Sequence, residues 1–402
     1  MAGRERDGSA AQAQICFESR PLRRNPFLAL APGDDEYLAY DLMSGRLHRL
    51  NPAAALILEL SDGSRSAEDL RVELTAIEKG LVWAAYAKWI ERAYGEGLFI
   101  LEGPCPTPPT VRDILSHARA LRQDGKVLAA FVCQRHATLL FSCDAGEWLF
   151  LGEIAHIIGR RADAREAYER YLELQPDDAE IAHILTGLRD EPAPERAPDR
   201  CIEQLYARFA DGYENSMCND LGYQAPGRLI EAIVVGIGGL RNLDMLDLGC
   251  GTGLFGRELR TRARRLTGVD LSPEMITHAR NTGFYDVLDI CEITFWLRRR
   301  PTAEFDLIAA CDSFIYFGDL RQVVIPAAQL LRRGGWMAFT VERGESEPFR
   351  LTDSGRYSHT ASHVRRVAEE AGLRIASISE TLLRYEYGQQ VTGIVAVLRQ
   401  SD

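Results

Sequence analysis

Apolar and polar positions alternate along the chain in three blocks of different period. Between Phe27 and Leu50 the runs FLALAP, EYLAYDL and RLHRL are short and apolar or alternating. Turn-formers at Gly33-Asp34-Asp35 and Ser44-Gly45 split them, which predicts a three-stranded meander. The period then lengthens and predicts three helices: PAAALILEL with proline at its start, SAEDLRVELTAI with Ser66 three residues before Asp69, and VWAAYAKWIERAY, apolar at i, i+3 and i+4. Proline-rich runs at 103–109 (GPCPTPP) and 191–198 (EPAPERAP) can continue neither a helix nor a sheet, and divide the chain into units 1–103, 110–190 and 199–402. The middle unit reads as helical with a 34-residue spacing, counted from Ala145 through Trp148, Leu151, Gly152, Ala164, Tyr168 and Pro176, with a weaker copy from Val111. The third unit carries NLDMLDLGCGTGLFGRELRTRARRLTGVDLSPEM: an apolar strand, a glycine-rich loop, an amphipathic helix, a second strand and then an acid. That is one βαβ nucleotide-binding half, and the remaining pattern predicts a mostly parallel α/β sheet.

The glycine loop is where the chemistry concentrates. Gly249, Gly251 and Gly253 allow a tight turn and close approach of a ligand, and Asp270, 19 residues beyond Gly251, ends the second strand where a carboxylate can accept both hydroxyls of a ribose. Gly251, Gly253 and Gly256 also satisfy G-x-G-x-x-G, a weak dinucleotide signature. Charge separates the two readings. Asp247, just before the loop, would repel a pyrophosphate but pairs well with an ammonium group, so the two acids suit S-adenosyl-L-methionine better than NAD.

LDLGCGTG followed by GVDLSPEMI resembles the class I S-adenosylmethionine-dependent methyltransferases. The resemblance implies that Asp247, Gly249, Gly251 and Gly253 form the cofactor loop, that Asp270 is the ribose acid, and that Leu271 and Met275 flank the adenine. It also implies that Glu292 is an acid near the adenine amino group and that Asp312 ends the fourth strand beside the transferred methyl. LYARFADGYENSMCNDLGYQAPGRL, FIYFGDL, GGWMAFTVE, SGRYSH and LLRYEYGQQVTGIVAVL resemble the subgroup joined to tetratricopeptide repeats. The implied fold is Rossmann-like: a seven-stranded sheet with five parallel strands and a final antiparallel pair. Tyr213, Tyr223, Phe314 and Tyr316 are candidate walls of the methyl pocket, Tyr223 on the cofactor side and Tyr316 on the catalytic side. Gly355-Arg356-Tyr357-Ser358-His359 is expected to be a loop over the carboxyl ends of the strands. There His359 would act as general base or hydrogen-bond donor, and Arg356 would clamp a carboxylate. Methyl transfer requires no metal. A carboxylate acceptor, which needs no base, is slightly favoured over an alcohol or amine.

In the first unit, YDLMSGRLHRLNPAAALILELSDGSRSAEDL resembles the PqqD-like peptide-recognition domains, an α+β, winged-helix-like fold. The resemblance implies that the leader of a ribosomally made precursor peptide docks on the strand Arg46–Leu50, at Leu47 and Arg49, and packs on the third helix near Tyr86 and Trp89. The 34-residue pattern matches a tetratricopeptide repeat, which offers either a groove for a peptide or partner or, slightly favoured in so short an array, a spacer between its neighbours.

Charge and composition remove other classes. A net charge of −11 argues against nucleic acid or an anionic membrane as principal partner. The amino-terminal residues predict no secretory signal, and nine scattered cysteines without a CxxC pair suit a reduced cytoplasmic protein. The sequence leaves room for a homo-oligomer. The expectation is therefore a methyltransferase acting on a recruited precursor peptide, against the alternatives of a small-molecule methyltransferase and a non-catalytic scaffold.

Overall fold

In a computed structural model the described residues are 19–33, 36–77, 82–100, 106–189, 191–209, 222–300, 303–346, 348–386 and 388–401. They divide into two compact units, 1–167 and 168–402.

In the first unit, the alternating runs form an antiparallel sheet of β2 (Leu28–Pro32), β3 (Tyr37–Asp41) and β4 (Leu47–Leu50), after a short β1 (Pro21–Arg24). Helix α1 (Pro52–Leu60) starts where the Asn51 side chain accepts from Ala54 N at 2.8 Å, with proline in the first turn. β5 (Asp62–Ser66) leads into α2 (Ala67–Ile77), where Ser66 and Asp69 exchange backbone-to-side-chain bonds of 2.8 and 3.2 Å in a capping box. α3 (Trp83–Gly95) and β6 (Phe99–Ile100) follow. A second small sheet, β5-β1-β6, was not legible in the sequence because its strands are two to five residues long and mostly polar. Ile57, Leu58, Leu70, Ile90 and Phe99 form the core beneath.

Helices α4 (Val111–Gln123), α5 (Val127–Leu140), α6 (Ala145–Ile157) and α7 (Arg161–Leu174) come next. Thr110 and Asp113 cap α4 reciprocally. Helix α5 packs against β2 and β3, and Leu30 N donates to His136 Nδ1 at 3.1 Å. Segments expected as separate domains thus share one compact unit, and the division between units falls inside α7 rather than at a proline-rich run.

The second unit opens with α8 (Ala179–Leu188), α9 (Asp199–Phe209) and α10 (Ala225–Ile237). Strands β7 (Leu243–Leu248), β8 (Ala263–Asp270), β9 (Val287–Ile290), β10 (Phe305–Ala310), β11 (Leu331–Arg343), β14 (Leu373–Glu386) and β15 (Gln389–Gln400) make a sheet of order β9-β8-β7-β10-β11-β15-β14. The first five are parallel, β15 runs antiparallel to β11, and β14 antiparallel to β15. Neighbouring residues serve opposite faces. Met245, Leu307 and Ala338 pack under α10, while Leu246, Ile308 and Phe339 face the other core, so both faces are covered as a parallel sheet requires.

Two short strands, β12 (Phe349–Leu351) and β13 (Tyr357–His359), extend this sheet past the end of β11, where Glu342 and Arg343 pair with Ser358 and His359. The segment expected as a loop is therefore a strand. The run 191–198 is no free linker either. Ala197 N donates to Tyr316 O at 2.8 Å, Gly318 N to Glu195 O at 2.8 Å and Tyr357 Oη to Pro194 O at 2.7 Å. No helix among the described residues is long and apolar enough to cross a membrane.

Candidate active site

β7 lies between β8 and β10 at the point where strand order reverses, which opens a crevice outside the carboxyl ends of the strands. The loop after β7 turns there. Gly249 has φ 72°, and a Cβ on it would lie 2.3 Å from Ser313 Cβ, so glycine is required. Ser313 in turn donates to Leu248 O at 2.6 Å and pins the loop to the end of β10.

Two acids meet at this loop. Asp270 accepts from Gly251 N at 2.8 Å and Ser272 N at 2.9 Å, and burial raises its carboxyl above the usual range in spite of those bonds. Asp247 is fully buried two residues before Gly249. Its Oδ2 accepts from the Tyr285 hydroxyl at 2.7 Å, while Oδ1 has no hydrogen-bond partner. Burial, opposed by the Tyr285 bond and reinforced by Asp270, pushes Asp247 up to about 7. A buried carboxylate oxygen without a donor is unfavourable unless a ligand supplies one.

A pocket opens beside the loop. Its walls are Gly249, Gly251 and Asp270; Leu271, Met275, Glu292 and Ile293; Cys311, Asp312, Ser313, Tyr316 and Phe317; and Arg196, Ile202 and Tyr206 from the segment before α10. The Tyr206 and Tyr316 hydroxyls are 2.9 Å apart. Asp312 takes a left-handed φ of 53°, with Oδ1 accepting from Thr340 Oγ1 at 2.9 Å and Oδ2 from Arg384 at 3.0 Å.

These residues fit S-adenosylmethionine. The orphaned Oδ1 of Asp247 would take its ammonium group and Asp270 its ribose, while Leu271, Met275 and Ile293 offer apolar surface for the adenine. Residues 246–339 match the family described as a methyltransferase domain. The chain carries a class I S-adenosylmethionine-dependent methyltransferase domain. It is 29% identical over 144 residues to the human methyltransferase-like protein 27, covering 35% of this chain and 58% of that one. With a ubiquinone biosynthesis O-methyltransferase of Coxiella burnetii it shares 27% identity over 158 residues, 35% of this chain and 67% of that one. The N-methyltransferase NodS of Bradyrhizobium japonicum WM9, solved with S-adenosyl-L-homocysteine, superposes with TM-score 0.40 at 20% identity, over 50% of this chain and 98% of that one.

Not every expected residue reaches the methyltransferase pocket. Asp247 and Gly253 are not themselves on its wall, Asp247 standing two residues before the wall residue Gly249, and Tyr223, 3.5 Å from the Cys311 thiol through its hydroxyl, stands beside it. Glu292 is on the wall, but its carboxylate accepts from Thr294 N at 2.9 Å and Phe295 N at 2.7 Å, capping the short helix 293–298. Cap duty occupies the acid expected at the adenine. Phe314 is core, its ring against Phe339 and Phe317. Tyr213 lies outside the described residues.

Two catalytic expectations are corrected. His359 is fully buried in β13, with Nε2 held 2.8 Å from Phe317 O and 3.1 Å from Gly318 O, and burial lowers it to about 4. It is not on the pocket wall and serves as no base there. Arg356 is spent on Glu386, to which it donates, and lies 3.8 Å from Glu342, so it is no free carboxylate clamp. Tyr316 alone of the three catalytic candidates lines the pocket.

Sequence reasoning missed Arg196, Ile202, Tyr206, Ser313 and Tyr285. Arg196, Ile202 and Tyr206 precede the glycine loop by more than 40 residues, and only the fold joins them to it.

Proposed function

We propose that the chain is a methyltransferase that modifies a ribosomally made precursor peptide recruited through its leader by the first unit. The transferase reading is carried by one observation, the unpartnered Oδ1 of buried Asp247 beside the glycine loop that Asp270 pins. When bound, S-adenosylmethionine supplies an electrophilic methyl group. The chain's own work is orientation and exclusion of water. Asp312 is fixed by Thr340 and Arg384, and the Tyr206–Tyr316 hydroxyl pair lines the pocket. This wall suits an acceptor bearing N–H or O–H. The carboxylate preference falls with the Arg356 clamp.

The peptide reading is supported by β4. Among the described residues it is bonded on one side only, to β3, and it presents Leu47 and Arg49 to solvent. Tyr86 and Trp89 of α3 are half-buried, available to a docked segment. A tethered leader would raise the local concentration of the acceptor, so that few acceptor contacts are needed. A small-molecule acceptor is the second reading, favoured by the similarity to a ubiquinone biosynthesis enzyme. The test is transfer of labelled methyl to short peptides encoded beside the gene, with and without their leaders. Leader-dependent labelling supports the proposal; equal labelling of leaderless peptides, or of small phenols only, overturns it.

A further inference from the structure

Tyr285 sits between α11 (Pro273–Thr282) and β9, and nothing in its local sequence marks it. Its ring occupies space that three glycines leave open. A Cβ on Gly256 would lie 2.2 Å from the Tyr285 hydroxyl oxygen, and one on Gly253 3.3 Å from Cε2; one on Gly268 would meet Cδ1 at 2.9 Å, but also Leu288 Cδ2 at 2.8 Å and Cys250 Sγ at 2.9 Å. Gly253 also needs its positive φ of 97°, but Gly256 has no left-handed backbone to explain it. The approach of the Tyr285 ring does. From that nest the hydroxyl donates to Asp247 Oδ2 at 2.7 Å.

We propose that Tyr285 is a positioning residue for the amino-acid end of the cofactor: it ties up Asp247 Oδ2 and leaves Oδ1 for the ammonium group, and Gly256 is glycine in order to admit it. On this account the third glycine of G-x-G-x-x-G serves a tyrosine rather than a phosphate. The inference rests on the S-adenosylmethionine reading of the pocket.

The groups facing Asp247 are Tyr285, Asp270 and the thiols of Cys250 and Cys311. Burial raises both thiols far above their usual range, so they stay neutral. With its Tyr285 bond the Asp247 carboxyl titrates at about 7. Protonated Asp247 cannot pair with an ammonium, so affinity falls as pH drops through that value. Removing the hydroxyl removes a bond that favours the charged form and moves the midpoint upward.

The experiment is calorimetric titration of S-adenosylhomocysteine into the full chain from roughly pH 6 to 8.5, for wild type, Tyr285→Phe and Gly256→Ala. The expected result for Tyr285→Phe is a midpoint raised by about one unit, hence binding about fivefold weaker at pH 7 and roughly tenfold weaker at pH 6 that recovers at the alkaline end. Gly256→Ala, which drives the ring from its nest, shifts the midpoint the same way. A uniform loss at every pH with an unmoved midpoint overturns the role and makes Tyr285 packing only. Wild type that binds at no pH overturns the cofactor reading and, with it, the role of Tyr285.

Discussion

Replacing Arg384 with methionine should be among the most damaging single changes in the second unit. Arg384 is 1% exposed, and its nitrogens donate to Asp312 at 3.0 Å, to Glu386 at 2.7 Å and to Glu342. Arg356 adds a second cation, bonded to Glu386 and 3.8 Å from Glu342. Two guanidiniums therefore serve three carboxylates, of which Asp312 and Glu342 are buried and Glu386 partly so, and Arg384→Met leaves one. Breaking a buried ion pair by removing one partner destabilises by about 3–5 kcal/mol, because the other charge stays desolvated. Glu386 gives an independent measure. Against desolvation that pushes its carboxyl up, Arg356 and Arg384 hold it down at about 2. That depression below an ordinary glutamate corresponds to roughly 3 kcal/mol of stability. It is present above the unfolded-state pKa near 4.5 and is lost as pH falls toward 2. The assay is hydrogen exchange of the β11 and β14 amides in the full chain, which reports on this sheet alone. Arg384→Met should lower protection by about 3–5 kcal/mol at neutral pH and flatten the acid limb. Adding Glu342→Gln should restore about 1 kcal/mol or more, since it removes a charge left without its partner. A loss below about 1 kcal/mol, or a double variant weaker than the single, would refute the reasoning.

His359, held at about 4 by burial and then by His363, contributes stability that is full above the unfolded value of 6.5 and lost as pH falls from there toward 4. His359→Gln should abolish that slope, worth roughly 3 kcal/mol, and leave transfer at pH 8 within about threefold; a folded variant slowed about a hundredfold or more would restore the general-base role. A proline placed within Leu47–Leu50 should cut turnover of leader-bearing peptide while S-adenosylhomocysteine binding is unchanged, as paired calorimetry and turnover would show; undiminished turnover would remove the peptide reading.

Legibility in the sequence followed the range of the interactions. The βαβ unit, the glycine loop and the caps of α1 and α2 are set by residues within a few positions of one another, and each reads directly from the chain. Interactions over long separations were hidden. Asp312 meets Arg384 across 72 residues, and Asp247 meets Tyr285 across 38. The histidine of SGRYSH looked like a loop residue because three-residue strands have no period to detect, and β13 exists only because the end of β11 is there to pair with it. Glu292 was legible as an acid, but not as the cap of a six-residue helix. Arg356 reads from the sequence as a carboxylate clamp, because its partner Glu386 lies 30 residues further along, on a strand that only the fold brings beside it.

On the proposed function, Asp247, Asp270 and the glycine loop hold S-adenosylmethionine. Titrating S-adenosylhomocysteine into the full chain by calorimetry, alone and with Asp270→Ala, tests it most directly. The expected result is micromolar binding that the substitution abolishes while the fold persists. Folded wild-type protein that takes up no ligand, or a variant that binds as tightly as wild type, would contradict it.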